Sequence, residues 1–555
     1  MAENIIKKVI ENTKDNGVKN TISKIFKRTR TLAATSDYDR WIRIHSPNDD
    51  ELEHQKKAVF EYSPKFSILI PEYVTGEHSA DAVIKSVEEQ TYDNLEILKD
   101  GDLKKLYDEA DGEYIIIADG TGLLAPDALY ECVKRLNEEK ADVIYTDEDT
   151  IDETGKRYIE PKFKPDFNID LLRSYNYIGG MIAVSVKLVD KVGLYNSEYG
   201  AAKEYDYILR CVEQADGISH IPKVLYRKRF SSKTMQEDKE IFCLDSGKRA
   251  LKAHYDRLGL EVKVEDEECL GRYKTTYKIY GNPLISIVIP NKDHIEDLKK
   301  CMDSIDERSD YKNYEFIIVE NNSEDQATFD FYREIEHRDN VTLLHWDKEF
   351  NYSAINNFGV KNAKGEYILL LNNDTEIISS DCLSQLLGYC QREDVGAVGA
   401  KLYYEDGTLQ HAGVVVGIVG AAGHIFGSMD ENDTYQLRAM ASCDYSAVTA
   451  ACMMVKKDIY EDVGGFDEQL KVAYNDVDFC MRIRSIGKLV VYNANAKLHH
   501  YESKSRGAED TEEKKERFNN EKGLFENRWH NFLKQGDPYY NANLTLDRTD
   551  FSLRV

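Results

Sequence analysis

Short apolar runs that stop at a proline or a polar residue recur along this chain, with helix-spaced segments between them. PKFSILIPEY (Pro64–Tyr73) is followed by SADAVIKSVEEQTY, whose apolar positions fall at helical spacing, and then by NLEIL (94–98). NPLISIVIPNK (Asn282–Lys292), EDLKKCMDSIDERS and YEFIIVE (314–320) repeat that order. DGEYIIIADG (111–120) matches KGEYILLLNND (364–374), and KEYDYILR (203–210) matches YNDVDFCMR (474–482). A continuous β-branched run without alternation predicts a strand buried on both faces, as in a parallel sheet. Strand–helix alternation that occurs twice predicts an α/β fold: two domains with mostly parallel central sheets, related by internal duplication.

The pattern divides the chain into a helical amino-terminal segment (1–60), a first copy (61–260), a linker (261–282), a second copy (283–507) and a helical tail (508–555). Ile5, Ile6, Val9, Ile10, Val18, Ile22, Ile25 and Phe26 predict an amphipathic helix broken near Gly17, with Lys and Arg on its other face. Packing on its own protein is one reading of that face and peripheral membrane contact is the other. Residues 238–282 read as a helix and a linking strand. The charged helix at 508–535 leads into the aromatic stretch DPYYNANL (537–544), expected to pack on the domain. The first copy is truncated: 41 residues separate Pro71 from Gly112, against 75 between Pro290 and Gly365. The missing 34 residues are those expected to carry the strand ends at Glu320 and Asn357.

Composition narrows the class. With 555 residues, 42% hydrophobic and 31% charged, globular domains are expected throughout. A net charge of −27 argues against nucleic acid as a partner. The charge is uneven, because residues 1–30 carry six Lys and two Arg against Glu3, Glu11 and Asp15. Ten scattered Cys with no CxxC pair read as reduced core thiols of a cytoplasmic protein. No apolar run reaches the ~18 residues of a membrane span, and the start lacks a signal-peptide apolar region.

In open α/β sheets, ligands bind beyond the carboxyl ends of the strands. In the second copy those ends carry Asn291, Lys292 and Asp293; Glu320, Asn321, Asn322 and Ser323; and Asn372, Asn373, Asp374, Thr375 and Glu376. Each cluster alone could be turn chemistry, but three on one rim suggest a nucleotide crevice. Asp374, a carboxylate at a strand end, is a candidate ligand for Mg²⁺ or Mn²⁺, hard ions that keep positions open for phosphate. Asn475–Asp476–Val477–Asp478 opens a helix; capping accounts for one acid but less well for two, and Asp476 is the candidate general base. His500, in LHHYES (498–503), is a candidate metal or diphosphate contact. There is no P-loop, no GxGxxG and no Cys/His zinc spacing.

At these residues a family becomes recognisable. Over Asn282–Gly507 the chain resembles family-2 glycosyltransferases of the GT-A fold. LLLNNDTE, GAKLYYEDGTLQHAGVVVG (399–417), SAVTAACMMVKK (446–457), VGGFDE (463–468) and NDVDFCMRIRSIG carry the likeness. The first copy is similar through SVEEQTY, YTDED (145–149), FKPDF, NYIGG and HIPKVLYR (220–227). Tandem proteins of this kind resemble, in the rhamnosyltransferase-like branch, enzymes that build O-antigen, capsule or rhamnose-rich wall polysaccharide. The resemblance implies that Pro290, Asn291, Glu320 and Asn322 line the base and ribose pocket, with Asn357 also on the donor side. It implies that Asn372 and Asp374 are the DxD element, with Asn replacing its first Asp, that His500 is the late metal or diphosphate His, and that Asp476 is the base. In the first copy the DxD equivalent reads Asp119–Gly120–Thr121–Gly122, and Glu204 stands where Asp476 does. That copy is expected to be degenerate.

The sequence therefore reads as an inverting, metal-dependent transferase that moves sugar from a nucleoside-diphosphate donor, dTDP-rhamnose or a UDP-hexose. The acceptor is a lipid-linked or polymeric glycan, at the cytoplasmic face of the inner membrane. The rival is a non-catalytic scaffold that organises a polysaccharide-synthesis complex, and the intact Asp374, Asp476 and His500 argue against it. A nucleotidyltransferase would need an early Gly-rich triphosphate loop, which is absent. If the basic opening meets lipid, the full chain binds anionic vesicles in a salt-sensitive way. Vesicle flotation of a form lacking residues 1–30 checks this; undiminished binding removes the idea.

Overall fold

A computed structural model describes residues 37–554 except 76–78, 119, 121, 153, 230–233, 268–270 and 502–510. The expected helix at 1–30 lies outside the described residues, as do Asp119 and Thr121. Among the described residues no helix is long and apolar enough to cross a membrane. The eight cysteines described are buried and unpaired.

Two α/β units share one strand order. The first sheet runs Leu95–Lys99, Phe66–Ile70, Tyr114–Ile117, Ile182–Ser185, Val143–Ile151, Ile218–Arg229, Gly122–Leu124. The second runs Val341–His345, Tyr314–Glu320, Ile285–Asn291, Tyr367–Leu371, Cys452–Lys456, Val395–Tyr403, Leu489–His500, Thr375–Ile377. In the second sheet the first four strands are parallel. Beyond them the sheet is mixed, because Cys452–Lys456 runs antiparallel to both of its neighbours. The β-branched runs are buried on both faces: every residue of Phe66–Ile70, Tyr314–Glu320 and Tyr367–Leu371 is buried.

The duplication extends to single hydrogen bonds. Ser67 Oγ accepts from Gly112 N (2.9 Å), as Ser286 Oγ accepts from Gly365 N (2.8 Å). A β-carbon on Gly112 would lie 2.5 Å from Ser67 Oγ, and one on Gly365 2.6 Å from the Leu284 carbonyl. The shared Gly-Glu-Tyr step thus requires a residue without a side chain. Asp206 pairs with Arg210 at 2.8 Å, and Asp478 with Arg482 at 2.9 Å.

The truncation falls elsewhere than expected. In the first copy the chain passes from Leu95–Lys99 directly to the helix Leu103–Glu109. In the second copy the helix Gln326–Ile335 and the edge strand Val341–His345 intervene before the helix Tyr352–Asn362. The first copy therefore keeps the strand equivalent to the one ending at Glu320, and Asn357 lies within a helix rather than at a strand end. The first copy ends in a long helix, Thr234–Arg257, and the linker forms a two-stranded antiparallel ribbon, Val262–Asp266 with Tyr273–Tyr277, where one strand was expected.

One apolar core contains side chains from both halves, including Tyr145, Leu171, Tyr277 and Val398. At their boundary Asn168 and Asp444 exchange side-chain–backbone hydrogen bonds of 2.8 and 3.0 Å. The tail helix Glu512–Arg528 packs on the second unit, and the aromatic stretch then crosses to the first. There Asn541 donates to Asp147 Oδ2 (2.9 Å) and to the Lys164 carbonyl (2.8 Å).

Burial and the adjacent Asp170 carboxylate push the Asp444 carboxyl well above the usual carboxylate range. Its folded pKa exceeds the unfolded value of about 4. The stability linked to it is therefore complete below that unfolded value and is lost as pH rises toward the folded one. Asp444→Asn, neutral at every pH, should remove this dependence. Thermal melts between pH 5 and 8 should show the variant gaining on the wild type as pH rises; parallel curves would refute the assignment.

Candidate functional site

The carboxyl ends of the parallel strands in the second unit open into a cleft of about 470 Å³. Its lining includes Pro290, Asn291, Lys292, Asn322, Tyr352, Asn372, Asp374 and His500. Strand geometry explains the convergence. Thr375–Ile377 pairs antiparallel with the end of Leu489–His500, placing Thr375 opposite His500. That pairing brings Asp374 Oδ1 within 3.2 Å of His500 Nε2, and Asn372 Nδ2 within 3.1 Å of the same nitrogen. His500 Nδ1 lies 2.7 Å from Gln410 Oε1, which orients the ring and leaves Nε2 toward Asp374. Glu376 locks the short strand, accepting from Tyr501 Oη (2.6 Å), Lys300 Nζ (2.9 Å) and Arg308 Nη2 (2.8 Å). Partial burial would raise its pKa, but these donors outweigh it and hold the carboxyl down at about 2.

A second set of contacts shapes the rim at Asn291. Asn291 Oδ1 accepts from Asn373 Nδ2 (2.7 Å), and its amide donates to Tyr332 Oη (2.7 Å). Asp293 and His294 are consecutive left-handed residues, with φ of 50° and 49°. Asp293 Oδ1 holds this strained turn by accepting from the backbone of Glu324 (2.8 Å) and Asp325 (2.9 Å). The loops after two adjacent strands are thereby fixed to each other.

Asp476 is the second residue of the helix Asn475–Ser485 and is partly exposed. Its carboxylate accepts from Ala450 N at 3.1 Å and Val477 N at 2.8 Å. The Ala450 carbonyl accepts from Tyr352 Oη (3.3 Å), which also donates to Asn372 Oδ1 (3.0 Å). Asp476 is thus tied to the cleft floor through one backbone unit and one tyrosine. Asp478, fully buried, accepts from Arg482 (2.9 Å), Arg528 (2.8 Å) and Trp529 (3.0 Å). Of the two acids opening this helix, one is a structural anchor and the other faces solvent.

Two expected donor-side residues do not line the cleft. Glu320 is buried, accepting from Ser323 N and from His345 Nδ1 at 3.3 Å. Asn357 holds the Gly464–Glu468 loop, accepting from Phe466 N (2.9 Å) and donating to the Phe466 carbonyl (2.9 Å). Conversely, the cleft includes Phe350, Tyr352, Ile355, Lys514 and Arg517, which the strand-end argument did not reach. The signal for the last two was the i, i+3 spacing of basic residues at the start of a helix.

Among the described residues no group of three or more His, Cys, Asp or Glu side chains is arranged to hold a metal ion. The donor set at the cleft floor is one carboxylate and one imidazole, the Asn372 amide being turned by its nitrogen to His500 and by its oxygen to the Tyr352 hydroxyl. It fits a hard divalent ion that takes its remaining ligands from phosphate and water. The first unit differs at the matching place. There Gly122 pairs with Lys228, so a lysine occupies the register position of His500. The buried Glu148 is ringed by Lys162 (2.8 Å), Lys164 (3.2 Å) and Lys228 (3.7 Å).

Residues 286–464 match the family model Glycosyl transferase family 2. An uncharacterised protein of Sinorhizobium fredii, y4gI, is 41% identical over 457 residues, 80% of this chain and 50% of that protein. The O-antigen biosynthesis protein RfbC of Myxococcus xanthus is 34% identical over 94% of this chain and 43% of its own length. The chain thus spans half the length, or less, of these two curated relatives. Among solved structures, the mannosyltransferase PcManGT of Pyrobaculum calidifontis, in complex with GDP-Man and Mn²⁺, aligns at 18% identity. That alignment covers 41% of this chain and 59% of that one, with a TM-score of 0.32. The family match begins on the strand Ile285–Asn291 and takes in the Asn372–Asp374 corner: this chain carries a glycosyltransferase family 2 domain.

Proposed function

We propose that this chain is an inverting glycosyltransferase that moves a sugar from a nucleoside-diphosphate donor, dTDP-rhamnose or a UDP-hexose, to a growing cell-surface glycan. The observation that carries the reading is the Asn372–Asp374–His500 corner at the floor of a nucleotide-sized cleft, tied through Tyr352 to Asp476. The curated name of the Myxococcus xanthus relative supports a surface polysaccharide as the product.

In this reading Asn291 and Asn322 hold the base and ribose, with Pro290 shaping the wall. Asp374 and His500 would hold Mg²⁺ or Mn²⁺, which neutralises charge on the departing diphosphate when bound. Asp476 takes the proton of the acceptor hydroxyl as that oxygen forms its bond to the anomeric carbon. The bond from that carbon to the diphosphate oxygen breaks on the opposite face, its electron pair leaves with the nucleoside diphosphate, and the configuration inverts. The partial exposure of Asp476 leaves its carboxylate open to an acceptor. In the first unit a lysine stands at the register position of His500, and that unit serves to position the acceptor or a partner.

Asp476→Asn keeps size and removes basicity. Turnover should fall by ~10²–10⁴, the usual span for general-base catalysis, with nucleotide affinity little changed. Near-normal turnover would remove Asp476 from the role. Chelation should abolish transfer, Mg²⁺ or Mn²⁺ should restore it, and Asp374→Ala should be inactive at every metal level. Full activity in chelator would mean a metal-free mechanism. Titration calorimetry of the full chain with nucleoside diphosphate and Mn²⁺ should give one site per chain, lost in Asp374→Ala. A second, surviving site would show the first unit to be active.

A further inference from the structure

The helix Glu512–Arg528 lies beyond the residues that match the family model, yet it enters the site. Residues 514, 517, 521, 525 and 528 recur at intervals of three and four and share one helix face. Together they contact the cleft and the segment that carries Asp476. Lys514 and Arg517 line the same cleft as Asp374 and His500. Of the three Lys and Arg residues in that lining, two come from this helix, the third being Lys292. In a chain of net charge −27, such local cations decide whether a diphosphate is attracted or repelled.

One turn further, Glu521 is 3% exposed, and its carboxylate accepts three consecutive backbone N–H groups: Lys471 (3.2 Å), Val472 (3.3 Å) and Ala473 (2.6 Å). These residues lead into the helix that carries Asp476. That helix has no side-chain cap, and Tyr474 before it is left-handed, with φ of 60°. A bulky residue held there is strained and persists only where its surroundings fix it. The surroundings are the tail helix: Phe525 stacks on Tyr474 with ring centroids 5.1 Å apart, and Arg528 bonds Asp478 at 2.8 Å.

We propose that this helix is a leaving-group clamp coupled to the base. Lys514 and Arg517 bind the diphosphate of the donor and of the released nucleotide. Glu521 is a positioning residue that fixes the 471–474 loop and, through it, Asp476. The inference rests on the nucleotide-sugar reading of the cleft. As the anomeric carbon–oxygen bond breaks, its electron pair passes to the diphosphate, whose charge grows beside the two cations. The element that meets the leaving group is then the one that sets the base.

The test uses the full chain with UDP, dTDP and GDP, their monophosphates and Mn²⁺, by titration calorimetry. Lys514→Ala/Arg517→Ala should weaken the diphosphate that the wild type binds by at least tenfold and the matching monophosphate by less than threefold. Equal diphosphate affinity in wild type and variant would overturn the clamp while leaving the nucleotide reading intact. Absence of nucleotide binding to the wild type would overturn both. Glu521→Gln should keep diphosphate affinity within threefold while kcat for hydrolysis of dTDP-rhamnose or UDP-glucose drops at least tenfold, with KM unchanged, measured well below its melting temperature. Unchanged kcat, or kcat and affinity falling together with melting temperature, would overturn the positioning role. Lys514→Met/Arg517→Met, which keeps the aliphatic packing, should reproduce the diphosphate loss; recovery of affinity there would also overturn the clamp.

Discussion

The candidate site depends on one antiparallel pairing, that of the three-residue strand Thr375–Ile377 with the end of Leu489–His500. Without it, Asp374 and His500 would be a loop carboxylate and a late histidine with no reason to meet. The pairing is short, and three residues of ladder would hold weakly alone. Glu376 compensates by gathering Tyr501, Lys300 and Arg308, so the strand is fixed from a helix and from the residue after His500 as well as by its ladder. Hydrogen bonds to a charged acceptor are roughly twice as strong as neutral ones, and this is where the site's rigidity arises.

The two units show which parts of such a fold can change independently. Their strand order, the serine–glycine bond at the Gly-Glu-Tyr step and the buried Asp–Arg pair of the late helix are kept in both. These interactions lie in the core, where a lost partner leaves a buried polar group unsatisfied. The rim has diverged: Lys228 stands opposite Gly122 where His500 stands opposite Thr375, and Tyr226 packs where a β-carbon on Gly122 would be. A fold survives such changes because its stability lives in the strands while the chemistry lives at their ends.

The halves are nevertheless not independent. Their apolar side chains form a common core, and Asn168, Asp170, Arg392 and Asp444 meet in a buried polar cluster between them. The tail then links both. Asp537 accepts from Val416 N (2.8 Å) in the second unit, and a few residues on Asn541 inserts beside Asp147 of the first. The first unit is thereby part of the scaffold that holds the second.

The sequence by itself determined the class of fold, the duplication and the residues at the carboxyl ends of the strands. These are local properties: a β-branched run ending in Pro290–Asn291 or Asn372–Asn373 reads as strand then rim without knowledge of anything distant. It also determined that Asp374, Asp476 and His500 were the polar residues to watch. It did not decide which of Asp476 and Asp478 was the anchor, because both have the same local pattern. The distinction comes from Arg528 and Trp529, some fifty residues downstream. Nor did it place Glu320 and Asn357 off the cleft, or Lys514 and Arg517 on it. The direction in which a strand-end or helical side chain points depends on which neighbour satisfies it, and those neighbours, His345 and the Gly464–Glu468 loop, are brought in only by the tertiary packing, as is the tail helix whose Glu521 docks on the 471–473 backbone.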